Sequence, residues 1–138
     1  MPIRVLLVED HDDSRIALSR LLEMSDCQVK PAANLAMARS ALESGTFDVH
    51  VIDLVLPDGS GFELMDESQP WRSTPTIAMS GLDDLQANTH KCPVSFCDHL
   101  RKPVVFNELL SAVRKAATSR PSGPGAVAGQ VISSQQSV

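Results

Sequence analysis

Cysteine is scarce: the chain has three in 138 residues, Cys27, Cys92 and Cys97, an odd number without CxxC spacing. That pattern argues against a disulfide framework and a zinc site, and reduced, buried thiols are the expectation. Long apolar runs are missing too; none approaches the ~20 residues of a membrane span. The opening MPIRVLLVED lacks the extended apolar region and small-residue cleavage site of a secretory leader, so a soluble, cytoplasmic protein is expected. Basic charge is in deficit, with 12 Lys and Arg against 17 Asp and Glu and a net charge of −5. The deficit lies in residues 1–70, which hold 13 acids and 5 bases, whereas residues 71–138 hold 4 acids and 7 bases. Such a chain does not present the basic face that neutralises DNA phosphates, and no direct nucleic-acid or membrane partner is expected. No helix-turn-helix pattern follows residue 120, and no internal repeat is visible. The last stretch, 121–138, has no charged residue but two Pro, three Gly and four Ser, the composition of a flexible linker or frayed end. The expected division is a folded unit over 1–120 and a tail over 121–138.

What the chain does have is a hydrophobic pattern that switches period repeatedly. Ile3–Val8 is a continuous apolar run bounded by acids, as in a strand buried on both faces. Ile16, Leu18, Leu21 and Leu22 then recur at helical spacing, with Asp12 or Asp13 available as N-cap. Residues 28–32 form a weaker strand candidate. Asn34 stands where it can cap a helix whose Leu35, Ala38, Ala41 and Leu42 face one way, ending at Gly45. Further strands are predicted over 48–52, 76–79 and 95–100. A loop is predicted over 56–60, a short helix around 61–67, a helix from about Asp83, and a final amphipathic helix carrying Phe106, Leu109, Leu110 and Val113. Strands alternating with helices imply right-handed crossovers and a doubly wound α/β fold, a five-stranded parallel sheet with helices on both faces.

In such sheets ligands bind beyond the carboxyl ends of the strands, near the point where strand order reverses. The predicted strands end in Glu9 and Asp10, in Asp53, in Ser80 and before Lys102. Three carboxylates, a hydroxyl and an ammonium thus converge on one edge. Carboxylates held close repel unless a proton or a cation intervenes, and an all-oxygen donor set suits a hard ion such as Mg2+. An Asp can also attack phosphorus to give an acyl phosphate, with Lys102 pairing a phosphoryl oxygen and Ser80 donating to another. Simpler readings hold elsewhere. His11 is an exposed first-turn residue, His50 a satisfied, partly buried strand histidine, His90 a solvated helix end, and Trp71 a partly covered loop residue. Gly59-Ser60-Gly61 is only a turn, not a full phosphate-cradling fingerprint.

The pieces VLLVED at 5–10, VIDLVLPDGSGFEL at 51–64, AMSG at 78–81 and LRKP at 100–103, in that order, resemble the receiver domain of two-component response regulators over roughly residues 3–118. The resemblance implies a flavodoxin-like fold with strand order 2-1-3-4-5. It implies a phosphorylation-activated switch that changes its partner-binding face, with a histidine kinase or histidine phosphotransfer domain as phosphodonor and an unidentified protein as output partner. Carried over by position, Asp53 is the phosphoacceptor. Asp10, Asp53 and the backbone carbonyl of Val55 are Mg2+ ligands, and Glu9 acts through a metal-bound water. Ser80 and Lys102 sense the phosphoryl group, Gly81 leaves it accessible, and Pro103 follows a cis peptide bond.

Two positions depart from the family's habit. His99 stands at the switch position where Tyr or Phe is usual, and a histidine titrates near neutrality and packs less area. Pro93, within residues 89–94, is expected to end the fourth helix early. Val55, apolar beside the acceptor, offers attacking water no polar help, so a long-lived phosphoryl group is expected. An aspartyl-phosphate hydrolase would need a second Asp at position 55, and the chain is expected not to be an enzyme beyond its own phosphorylation and dephosphorylation. The alternative is a phosphorylation-independent interaction module that retains the fold.

Overall fold

The computed structural model describes residues 2–65, 74–81 and 96–119. In chain order these form β1 (Ile3–Val8), α1 (Asp12–Met24), β2 (Cys27–Ala32), α2 (Leu35–Ser44), β3 (Val49–Asp53), β4 (Thr76–Ser80), β5 (Phe96–Arg101) and α3 (Phe106–Ser119). A two-residue antiparallel ladder, Val55–Leu56 against Gly59–Ser60, and a 3-10 helix, Gly61–Met65, lie between β3 and β4. The five strands form one parallel sheet in the order β2-β1-β3-β4-β5, as the doubly wound reading requires.

Period-two alternation splits the core. Val5 and Leu7 of β1, Val49 and Val51 of β3, and Ile77 and Met79 of β4 join Leu18 and Leu22 of α1 and Leu109, Val113 and Ala116 of α3. Leu6, Val8, Ile52 and Ala78 point the other way and pack with Leu35, Ala38, Ala41 and Leu42 of α2. Both faces of the central strands are therefore covered, which is why IRVLLV and DVHVI are nearly continuous apolar runs. Pro31 is tolerated because β2 is an edge strand.

Several local expectations shift. Strands two, three and five run over Cys27–Ala32, Val49–Asp53 and Phe96–Arg101 rather than 28–32, 48–52 and 95–100, and strand four extends to Ser80. His11, not Asp12 or Asp13, occupies the N-cap of α1, and it makes no side-chain cap hydrogen bond. The two aspartates lie in the first turn, where negative charge suits the helix dipole. Only Leu18 and Leu22 of the α1 stripe are buried; Ile16 and Leu21 are exposed. Asn34 does cap α2, its Oδ1 accepting from Met37 N at 2.8 Å, and the helix is followed by Gly45 in extended conformation. His50 is fully rather than partly buried, edge-on to Phe47. The predicted short helix is a 3-10 turn as far as Met65. The helix expected from Asp83, Trp71, His90, the Pro93 segment and the tail lie outside the described residues. Among those described, no helix is long and apolar enough to cross a membrane.

Candidate functional site

The strand register aligns the ends that matter. Val8 of β1 pairs with Ile52 of β3, Asp53 with Met79, and Ser80 with Arg101. The chain reverses direction of sheet growth between β1 and β3, so Glu9 and Asp10 leave one side of the switch point and Asp53 ends the other. Two backbone bonds hold the neighbouring loops: Leu54 N donates to Met79 O at 2.9 Å, and Lys102 N donates to Ser80 O at 2.9 Å. The Lys102–Pro103 peptide is cis.

Lys102 Nζ is the hub. It lies 2.6 Å from Asp53 Oδ2 and 3.0 Å from Glu9 Oε1. The other Asp53 oxygen, Oδ1, accepts from Val55 N at 3.0 Å. Asp53 is 3% exposed, and burial pushes its carboxyl up to about 6. The Lys102 and Val55 hydrogen bonds oppose that rise, and the Glu9 charge adds to it. Burial acts on Glu9 in the same sense, but the His11 amide, Lys102 and Asp10 together hold its carboxyl below the ordinary value. For Lys102, burial disfavours the ammonium, and the two carboxylates outweigh it and raise the group above its usual range.

Asp10 stands at the rim, one-third exposed. Donor atoms of Glu9, Asp10 and His11, one from each, lie within 4.8 Å of one another, with His11 Nδ1 3.4 Å from Glu9 Oε2 and 3.5 Å from Asp10 Oδ1. Three carboxylates against one ammonium leave an excess of two negative charges, made of hard oxygen donors. That donor set fits a divalent ion such as Mg2+.

Ser80 is completely buried, and its Oγ lies 2.7 Å from His99 Nε2. The expected sensor hydroxyl and the expected switch residue are therefore in direct contact. Burial, aided by Arg101, lowers the His99 imidazole below its ordinary value, against the pull of Asp98. Gly81 follows Ser80 at the site's edge, half-buried. Val55 is 46% exposed beside Asp53.

Sequence reasoning missed four contributors. His11, read as a bystander, is exposed but has Nδ1 3.4 Å from Glu9 and 3.5 Å from Asp10. Arg15 holds the turn after β1, one guanidinium nitrogen donating to Glu9 O at 3.0 Å. Asp58 accepts from Leu35 N and Ala36 N, pinning the loop after Asp53 to the start of α2. Gly61 is packed so closely that a Cβ there would sit 2.3 Å from Asp53 O. Only the Asp58-Gly59 pair carried a readable signal, that of a turn. The others depend on contacts made by folding.

A family model described as the response regulator receiver domain matches residues 5–114. The chain belongs to the response-regulator receiver family. Curated relatives agree. The swarming motility regulation protein RssB of Serratia marcescens is 33% identical over 125 residues, covering 88% of this chain and 55% of that protein. The KDP operon transcriptional regulatory protein KdpE of Escherichia coli is 32% identical over 114 residues, covering 81% of this chain and 50% of that protein. The chain thus spans about half the length of the curated relatives it matches. A CheY-like receiver domain from Methylobacillus flagellatus superposes with TM-score 0.72 at 27% identity, over 84% of this chain and 99% of that one. A CheY-like receiver domain from Methanospirillum hungatei shares the fold, with TM-score 0.75 at 22% identity, over 87% of this chain and 97% of that one. The receiver's flavodoxin-like architecture and its membership of two-component signalling are thereby shown.

Proposed function

We propose that this receiver is a phosphorylation-activated switch with Asp53 as phosphoacceptor. The observation that carries the reading is the half-buried Lys102 ammonium bridging the buried carboxylates of Asp53 and Glu9 across the switch point. A carboxylate oxygen of Asp53 attacks the phosphorus of a phosphohistidine on a histidine kinase or phosphotransfer domain. The P–N bond breaks as the acyl phosphate forms, and the departing imidazole takes a proton from solvent. Lys102, already on Asp53, stays with the added negative charge. Ser80 supplies a hydroxyl, and its carbonyl is tied to Lys102 N, so movement at one sensor pulls on the other. Asp10, Asp53, the Val55 carbonyl and, through water, Glu9 would hold Mg2+, which would supply charge neutralisation.

The same reading makes the chain a switch rather than an enzyme acting on other substrates, working in the cytoplasm. Residues 1–120 form the receiver and 121–138 a tail. Its acidic balance suits a protein output partner better than nucleic acid, and Arg101, Arg114 and Lys115 are exposed for an acidic one.

Intact mass after incubation with Mg2+ and acetyl phosphate, beside Asp53→Asn, tests the assignment. One phosphoryl group on the wild type and none on the variant is the expected result. No adduct, where a control receiver is labelled, would favour a phosphorylation-independent interaction module.

A further inference from the structure

The contact between Ser80 and His99 has a direction that hydrogen-bond accounting supplies. Ser80 is completely buried, so its hydroxyl proton cannot go to water. Among the described residues His99 Nε2, at 2.7 Å, is the partner found for Oγ. A buried hydroxyl proton without an acceptor carries the full cost of its lost hydration. If Nε2 carried a proton it would donate to Oγ and leave the Ser80 proton stranded. Ser80 therefore donates, Nε2 accepts, and the neutral imidazole carries its proton on Nδ1, on a ring that remains partly exposed to solvent. Burial and Arg101 both favour the neutral ring, and Asp98 opposes them; Arg101 and Asp98 belong to His99's own strand, and β4 presents Ser80.

A phosphoryl oxygen on Asp53 needs the same Ser80 proton. Ser80 has one hydrogen to give, so both acceptors cannot have it. We infer that His99 is a positioning residue that holds Ser80 in the resting receiver, and that phosphorylation takes the Ser80 proton away and converts His99 Nε2 from acceptor to donor. The proton arriving on Nε2 comes from solvent; the one on Nδ1 either stays, leaving an imidazolium, or returns to solvent. No covalent bond other than N–H changes. A Phe at this position has no polar atom to accept the Ser80 proton, and a Tyr hydroxyl can turn from acceptor to donor without gaining or losing a proton, so the protonation change at the ring nitrogen belongs to this chain's histidine. The inference rests on Asp53 as phosphoacceptor.

Imidazole nitrogen-15 spectra of the full chain test it, with beryllofluoride and Mg2+ as phosphoryl mimic and fluorine-19 signals reporting whether the mimic is bound. The resting wild type should show His99 Nε2 in the unprotonated range and Nδ1 in the protonated range. Bound mimic should move Nε2 to the protonated range. In Ser80→Ala, with the mimic at saturating concentration, that shift should be lost. His99→Gln, which can both accept and donate, should keep mimic affinity nearer to wild type than His99→Leu. A protonated Nε2 in the resting wild type overturns the inference without reference to any ligand. So does an unmoved Nε2 with the fluorine signals showing bound mimic. Absent fluorine signals would instead count against Asp53 as acceptor, and against the exchange with it, while the resting tautomer still reports on the Ser80 bond by itself.

Discussion

At Asp53 two requirements pull apart. The proposed role of phosphoacceptor needs an ionised carboxylate, and burial makes ionisation costly, so the carboxyl is pushed up from 3.8 to about 6. The sign follows from linkage. Below about pH 4 the group is protonated in folded and unfolded chains alike and has no effect. Between about pH 4 and 6 only the unfolded chain ionises, so stability falls as pH rises and stays lowered above 6. Asp53→Asn escapes this loss, and Lys102 keeps Glu9 as partner. In the presence of a chelator, urea denaturation should find the variant more stable by about 1–3 kcal/mol at about pH 7, with the gap closing towards pH 4. An equal stability at both pH values would mean that the Lys102 pair offsets the burial. Val55 sits beside the same carboxylate, with an apolar side chain nearly half exposed. Val55→Asn should shorten the life of phospho-Asp53 about ten-fold, which corresponds to ~1.4 kcal/mol off the hydrolytic barrier. Loss of mass label with time checks it, and an unchanged half-life would remove water access at position 55 from the account.

Among the elements, α2 and the loop after β3 depend on each other. The first amides of α2 are taken by three side-chain oxygens, Asp58 on Leu35 and Ala36, and Asn34 on Met37. Glu63 adds a bond to Ser60 N and a pair with Arg39 of α2. The loop that leaves Asp53 is therefore held from the helix side as well as by Gly61. Asn34→Ala should cost about 1 kcal/mol, and Asn34→Ser should restore most of it. Denaturant midpoints read both, and an Asn34→Ala protein as stable as wild type would leave Asp58 as the sufficient cap. The Asn34 cap was legible because capping is local, a side chain reaching three residues on. The start of α1 was misjudged for a related reason: Asp12 and Asp13 have capping chemistry, but His11 falls at the boundary because the turn after β1 is set by Arg15 and Glu9.

For the whole molecule, the switch point gathers charge that the fold must tolerate. Glu9 and Asp53 share one ammonium, Asp10 adds a third carboxylate beside Glu9, and a divalent ion that binds only the folded arrangement stabilises it by mass action. At ten times its dissociation constant, Mg2+ should add about 1.4 kcal/mol and raise the melting temperature by a few degrees. A chelator should reverse the shift, and Asp10→Asn should abolish most of it. A melting temperature indifferent to Mg2+ would show that Lys102 alone satisfies the carboxylates.

The class of fold and the cast of the site were both legible in the order of residues. Apolar runs with helical spacers between them admit few packings other than a covered parallel sheet, and such a sheet brings its strand ends to one edge. Glu9, Asp53, Ser80 and Lys102 could be named as neighbours for that reason. What they do to one another was not legible. Lys102 reaches Glu9 and Asp53 from 93 and 49 residues away, Gly61 abuts the Asp53 carbonyl, and Ser80 meets His99 across two strands. Those contacts are fixed by register, burial and side-chain direction, which arise only when the sheet closes, and they decide which groups hold charge and which hold protons.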